Sequence, residues 1–328
     1  MEYRILGKTG LKISSVSLGT WQVGGGWGAR FDTRQAKSIL HQALDEGINF
    51  FDTADVYDDK QSEKVVGQTV RENRQSTHIA TKIGRRINPH IAKGYTPDVL
   101  EKYVDEALFN TGLDELDLVQ LHCPPPEVYD SEEVFERLAL IRKKGKVLNF
   151  GVSVETVAEA EKACNYEVVS TIQIIFNMFR HKPLETCFPM LKKKNIGILA
   201  RVPLASGLLT GKYKRDTQFR ADDHRQFNRN GEAFDKGETF SGVDYEQGLK
   251  AVDELKEIFD NTEHLYHYAL RWVLMYDAVS TVIPGASSPS QVQSNSQSLL
   301  LPPFPQEQMD AVKSVYDKYF RKNIHDLW

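Results

Sequence analysis

From residue 14 onward the chain repeats one pattern: a short apolar run, a polar loop, then a longer amphipathic stretch. The apolar runs are "SVSL" (15–18), "INFFD" (48–52), "HIATK" (78–82), "LDLVQL" (116–121), "VLNFGVS" (147–153), "VSTIQ" (169–173), "GILAR" (197–201) and "VSTVI" (279–283). Runs of this length read as buried strands, and the stretches between them carry helix starts. Thr96 precedes Pro97, an N-cap followed by the residue best suited to a first helical turn. Thr156 with Glu159, and Ser288 with Gln291 around Pro289, have capping-box spacing. Strands alternating with helices pair in parallel through right-handed crossovers, and eight such units close a (β/α)8 TIM barrel.

Two segments fall outside the repeat. "YRILGKTGLKIS" (3–14) alternates around Lys8-Thr9-Gly10 and predicts a β-hairpin placed to plug the barrel bottom, while 301–320 predicts one extra C-terminal helix. No Pro/Gly/Ser linker divides the chain, so 1–328 reads as a single α/β barrel domain. The irregular part is 213–243, long, charged and Gly-containing. Loops of that length in compact domains are functional or disordered.

Composition narrows the class. With 41% hydrophobic and 26% charged residues the chain is globular, and a net charge of −4 gives no general attraction to nucleic acid or anionic lipid. "RR" (85–86) and "KKGK" (143–146) read as solvated basic patches. No apolar run approaches the ~20 residues of a membrane span. The start "MEYRILGKTG" is polar and unlike a signal peptide, and Cys123, Cys164 and Cys187 are odd in number with no C-x-x-C. A cytoplasmic protein with no membrane or nucleic-acid partner is expected.

The strand endings carry the chemistry. The second strand stops on Asp52, the third on Lys82, and the fourth runs into His122, with Tyr57 five residues beyond Asp52. Singly, each has an ordinary explanation: a loop cap, a snorkelling lysine, a core histidine. On three consecutive barrel strands they face one mouth, where catalytic groups collect. A cation such as Lys82 beside a phenol lowers its pKa, and Asp52 keeps that cation charged. Tyr57 is then a tuned acid for a carbonyl oxygen, with His122 as hydrogen-bond donor. No activated Ser or Cys supplies a nucleophile. A hydride from a nicotinamide fills the gap.

"FFDTADVY", "ATKIG", "LVQLHCP" and "VIPGASSPSQVQSN" are similar to signature segments of the aldo-keto reductases, and "LARVPLASGLLTGKY" resembles the bacterial and potassium-channel β-subunit-like branches. The resemblance implies a barrel that binds NADP(H), with NAD(H) the alternative, and a tetrad of Asp52, Tyr57, Lys82 and His122. It places Ser153 and Gln173 on the nicotinamide carboxamide, and Gly207, Leu208 and Lys212 around the pyrophosphate. Ser287 and Gln291 fall at the 2′-phosphate and Asn295 toward adenine, although Gln291 also fits a plain capping role. Gly19, Thr20, Trp21, Arg201, Pro203, Leu204 and Gly285 complete the implied cofactor contacts, and Trp21 and Trp27 sit where substrate enters. Arg201 stands where many relatives carry an aromatic, and the basic residue common near Ser287–Ser288 is absent.

No metal is expected. His264-x-x-His267 lacks accompanying ligands and reads as structural. The leading expectation is reversible reduction of a small aldehyde or ketone. The alternatives are a nicotinamide-sensing accessory subunit and a lyase using Lys82 as a Schiff base. Loops 22–32, 123–130 and 213–243 form the substrate pocket.

Overall fold

The computed structural model describes residues 1–25 and 30–328. Strands β1 (Tyr3–Ile5) and β2 (Lys12–Ser14) pair antiparallel, as the alternation at 3–14 requires. Eight more strands then pair in parallel and in chain order: β3 (Leu18–Gly19), β4 (Phe50–Asp52), β5 (His78–Ile83), β6 (Leu118–His122), β7 (Phe150–Ser153), β8 (Val169–Ile175), β9 (Gly197–Arg201) and β10 (Val279–Val282). Parallel bridges Val16–Val282 and Gly19–Gly285 join the first to the last, so the sheet closes into a (β/α)8 barrel.

The outer helices between strands are α1 (Thr33–Asp45), α2 (Gln61–Glu72), α3 (Pro97–Thr111), α4 (Glu132–Lys143), α5 (Val157–Ala163) and α6 (Cys187–Lys193). After β9 come the short α7 (His224–Phe227), then α8 (Tyr245–Ile258) and α9 (Leu265–Leu274). After β10, α10 (Pro289–Gln297) precedes the extra helix α11 (Gln306–Tyr316). Thr96 caps α3, and Thr156 with Glu159 forms a full capping box on α5. At α10 the expected box is only half made. Ser288 Oγ accepts from Gln291 N, but the Gln291 side chain reaches past the cap and accepts from Ser287 N at 2.8 Å. None of the helices among the described residues is long and apolar enough to cross a membrane.

Side chains alternate along a strand, so residues two apart share a face. Phe50, Ala80, Leu118 and Leu199 form one buried cluster with Ile283 and with Leu6 and Ile13 of the hairpin, which plugs the barrel bottom. Two residues further along the same faces come Asp52, Lys82, Gln120 and Arg201, and two beyond Gln120 comes His122. The alternation that fills the bottom with apolar groups thus delivers polar ones to the mouth. The 213–243 segment folds back to that mouth through α7 and tight turns at Lys236–Glu238 and Phe240–Gly242.

Candidate active site

Lys82 Nζ is the hub. It donates to the Asp52 carboxylate through Oδ1, to Thr53 O at 2.9 Å and to Tyr57 Oη at 3.2 Å, so all three ammonium hydrogens have partners. Both Lys82 and Asp52 are buried. The other Asp52 oxygen accepts from Gln173 Nε2 at 2.8 Å and Gln120 Nε2 at 3.4 Å, which fixes the carboxylate. Tyr57 begins a tight turn in which Asp58, Asp59 and Lys60 all have left-handed φ, a strained sequence of the sort found at functional sites. The His122 ring meets Tyr57 edge-on, with centroids 6.2 Å apart. Strand register aligns His122 with Ser153 and Ser153 with Gln173 in one row.

The electrostatics differ from expectation at one point. Burial is the larger influence on Tyr57 and pushes its phenol above the usual value. Lys82 opposes that push without reversing it. For Lys82, burial favours the neutral amine, but Asp52 and Tyr57 together outweigh it and hold the ammonium more firmly than usual. His122 lies far below its usual value, through burial and the nearby Arg85, Lys82 and Arg201 charges, so its imidazole is neutral.

The residues expected at the cofactor lie on or after strands β3, β4, β7, β8, β9 and β10. Gly19 and Gly285 bridge at the barrel seam. Thr20 Oγ1 is turned inward to Asp52 O (3.0 Å) and Ser62 Oγ (2.8 Å). Trp21 lies edge-on to His224 at 5.6 Å. Trp27 lies outside the described residues. After β9, Val202, Ala205, Ser206 and Gly207 all have positive φ. At Gly207 a Cβ would stand 2.4 Å from Tyr213 Oη, so only glycine fits. Within this segment Pro203 and Leu208 are buried and Leu204 half-buried. Lys212 is exposed, with Nζ 5.4 Å from the Tyr266 ring centroid. Asn295 Nδ2 donates to Gly285 O at 3.4 Å. Ser287 N and Oγ both donate to Gln291 Oε1, at 2.8 and 3.1 Å. Ser153 Oγ is 3.5 Å from Cys123 Sγ.

Arg201, which stands where many relatives carry an aromatic, is tied to the residues that follow β7. Its Nη2 donates to Glu155 Oε2 at 2.7 Å and Val154 O at 3.0 Å. Arg85 Nη1 donates to Glu238 Oε1 at 3.1 Å, and Arg86 pairs with Asp55 at 2.9 Å, so "RR" is a paired element of the mouth and its surroundings rather than a solvated patch. Cys123 Sγ and carboxylate oxygens of Glu155 and Glu238 lie within 4.8 Å of one another. Burial pushes the Cys123 thiol well up, and the Arg201 guanidinium reaches all three groups, Cys123 Sγ at 3.7 Å, Glu155 Oε2 at 2.7 Å and Glu238 Oε1 at 3.8 Å. His267 bonds Ser294 Oγ at 3.3 Å, and His264 lies at the start of α9.

Gln120, Arg85, Glu155 and Glu238 are the site residues missed in the sequence. Gln120 had a signal: it is polar in a buried strand, two before His122 and on the same face. The other three had none, since residues 85, 155 and 238 share no local spacing.

A closed barrel with an ionised pair, a phenol and a neutral imidazole at the C-terminal mouth is an enzyme scaffold of the (β/α)8 class. The sequence model of the Aldo/keto reductase family matches residues 15–317, and the chain belongs to that family of oxidoreductases. It is 33% identical over 312 residues to an Arabidopsis thaliana protein named "Probable voltage-gated potassium channel subunit beta", covering 90% of each chain. It is 29% identical over 303 residues to an aldo-keto reductase of Bacillus subtilis, covering 90% of this chain and 88% of the other. Among solved structures, the glycerol dehydrogenase of Gluconobacter oxydans matches with a TM-score of 0.76 at 29% identity, over 94% of this chain and 93% of that one. The holo form of an aldo-keto reductase from Bacillus halodurans shares the fold, with a TM-score of 0.79 at 23% identity over 99% of this chain and 100% of that one.

Proposed function

We propose that the chain transfers hydride reversibly between NADP(H), in preference to NAD(H), and the carbonyl carbon of a small aldehyde or ketone, with Tyr57 as proton donor. The observation that carries this reading is the convergence of Asp52, Thr53 O and Tyr57 on Lys82 Nζ. Asp52 keeps Lys82 an ammonium, and the ammonium holds Tyr57 Oη in place. Tyr57 stays protonated at neutral pH and can pass its proton to a carbonyl oxygen, while neutral His122 offers that oxygen one N–H. When bound, the nicotinamide supplies the hydride.

The residues present suit a dinucleotide. Val202, Ala205, Ser206 and Gly207 have left-handed φ, the backbone from which anion-binding nests are built, while Ala205 N and Gly207 N donate within the turn to Val202 O and Leu204 O. Gly207, Leu208 and Lys212 would hold the pyrophosphate there. The α10 N-terminus suits a 2′-phosphate near Ser287 and Gln291, with Asn295 toward adenine. A phosphate at that place would exchange the two Ser287–Gln291 bonds rather than meet free donors, which argues for a modest NADPH preference. Ser153 and Gln173 would meet the carboxamide. Because Gln173 Nε2 is engaged by Asp52, its oxygen is the group to do so. Gly19, Thr20, Trp21, Arg201, Pro203, Leu204 and Gly285 would line the remaining contact, with Trp21 and Trp27 toward substrate.

The similarity to the plant channel subunit favours a second reading, a nicotinamide sensor with little turnover. A Schiff-base role for Lys82 has little support, because its nitrogen is a fully engaged ammonium and not a free amine. The test is oxidation of NADPH and NADH by the purified chain with 4-nitrobenzaldehyde and no other protein. Turnover is expected, faster with NADPH. Tight cofactor binding without turnover of any carbonyl in a panel would favour the sensor.

A further inference from the structure

Four charged side chains crowd the mouth beside His122. Arg85 follows β5, Glu155 follows β7, Arg201 ends β9 and Glu238 comes from the turn at Lys236–Glu238. Arg201 Nη2 lies 3.7 Å from the sulfur of Cys123, the residue after His122. Burial, with Glu238 beside it, raises the Glu155 carboxyl to about 7, and the pairing of the four is unequal. Arg201 has Glu155 at 2.7 Å and reaches Glu238 only at 3.8 Å. Arg85 has Glu238 at 3.1 Å, and among the described residues Glu238 is the one carboxylate that pairs with it. Both arginines are close enough to His122 to lower its pKa.

We propose that Glu238 is a specificity-determining residue: its carboxylate occupies the anion-binding face of Arg85 and so excludes carbonyl substrates that carry a carboxylate of their own. This rests on the carbonyl-reduction reading above. An arginine fork is the side chain best matched to a carboxylate, and an unpaired one beside the reacting carbonyl would recruit anionic substrates. With Glu238 in place, an incoming carboxylate finds Nη1 of Arg85 already taken and meets a like charge, whereas an uncharged aldehyde is opposed by neither.

Exclusion works only if Glu238 cannot swing aside, and both its flanks are pinned. The indole of Trp328 packs on the backbone there: a Cβ at Gly237 or Gly242 would stand 3.0 or 2.3 Å from the ring. Trp328 Nε1 donates to Asp235 Oδ1 at 2.8 Å, and the Arg180 guanidinium lies 3.9 Å from the centre of the ring. Ser206 Oγ donates to Glu238 O and accepts from Phe240 N, both at 3.0 Å. Trp328 is therefore a positioning residue for Glu238, acting without touching substrate.

The test compares kcat/KM for 4-carboxybenzaldehyde and 4-nitrobenzaldehyde, a charged and an uncharged aldehyde of similar shape, in each variant. A ratio within one variant cancels any loss of folded protein. Glu238→Gln should raise the carboxy/nitro ratio about tenfold or more, the worth of one charge-assisted hydrogen bond. The double variant Glu238→Gln/Arg85→Gln should lose that gain. Trp328→Ala should raise the ratio in the same direction and Trp328→Phe, which keeps a ring, should raise it less. Titration with benzoate, which cannot react, supplies a readout free of turnover: wild type should not bind it and Glu238→Gln should, through Arg85. An unmoved ratio and no benzoate binding in Glu238→Gln, or a gain that survives loss of Arg85, would overturn the proposal. A ratio unmoved in Trp328→Ala would overturn the positioning role. If neither aldehyde reacts yet Glu238→Gln gains Arg85-dependent benzoate binding, the reduction reading fails while anion exclusion by Glu238 stands.

Discussion

Lys82 has three N–H donors and three partners, and the consequence is legible in pH dependence. Burial drives Tyr57 up and Lys82 restrains it. In Lys82→Met the restraint is gone, so Tyr57 ionises at higher pH than in wild type. Alcohol oxidation needs the phenolate to accept a proton, so its rate should rise at higher pH in the variant. Its kcat should also fall about a hundredfold or more, a typical worth for a positioned proton donor. Reduction needs the phenol, and with a raised pKa that form persists through the neutral range in both proteins. His122, held far below the usual value, should add no limb near the ordinary histidine pKa of about 6.5. Profiles in both directions check this, and an oxidation limb unmoved in Lys82→Met contradicts it. Asp52, Lys82 and His122 were readable in the sequence because each closes or follows an apolar run. The strength of burial at Tyr57 was not readable, since desolvation depends on groups brought over the phenol from distant segments.

The strand–helix alternation marked all eight barrel strands, because short apolar runs between capped amphipathic stretches leave little choice of pairing. Helix starts at Thr96 and Thr156 were equally plain, being set by local hydrogen bonds. The α10 start was misread in detail because Gln291 has two amides within reach and takes that of Ser287. This element carries the cofactor-choice prediction. Ser287→Arg places a cation where a 2′-phosphate would sit, and only NADPH carries that group. The variant should tighten NADPH about tenfold, with NADH nearly unchanged, since charge-assisted contacts are roughly twice as strong as neutral ones. Dissociation constants for both cofactors before and after the change decide it. Equal changes would place the phosphate elsewhere. The mouth quartet of Arg85, Glu155, Arg201 and Glu238 was hidden because four separate elements must fold before those residues meet.

For the whole molecule, a sealed bottom and a polar mouth follow from one alternation carried around a closed sheet. Leu6 and Ile13 of the hairpin complete the bottom layer under Phe50, Leu118 and Leu199. Leu6 is fully buried, so Leu6→Ala should leave a cavity and cost about 2–5 kcal/mol in denaturant unfolding. A cost below about 0.5 kcal/mol, the range of a surface change, would mean that the hairpin does not seal the barrel. Carbonyl reduction at this mouth depends on Tyr57 as the proton donor beside a bound nicotinamide. The most direct measurement pairs NADPH affinity with the rate of aldehyde reduction in wild type and Tyr57→Phe. The affinity should be nearly unchanged and the rate lowered about a hundredfold or more, because only the proton held for the transition state is lost. A Tyr57→Phe protein that keeps half the wild-type kcat would contradict that role.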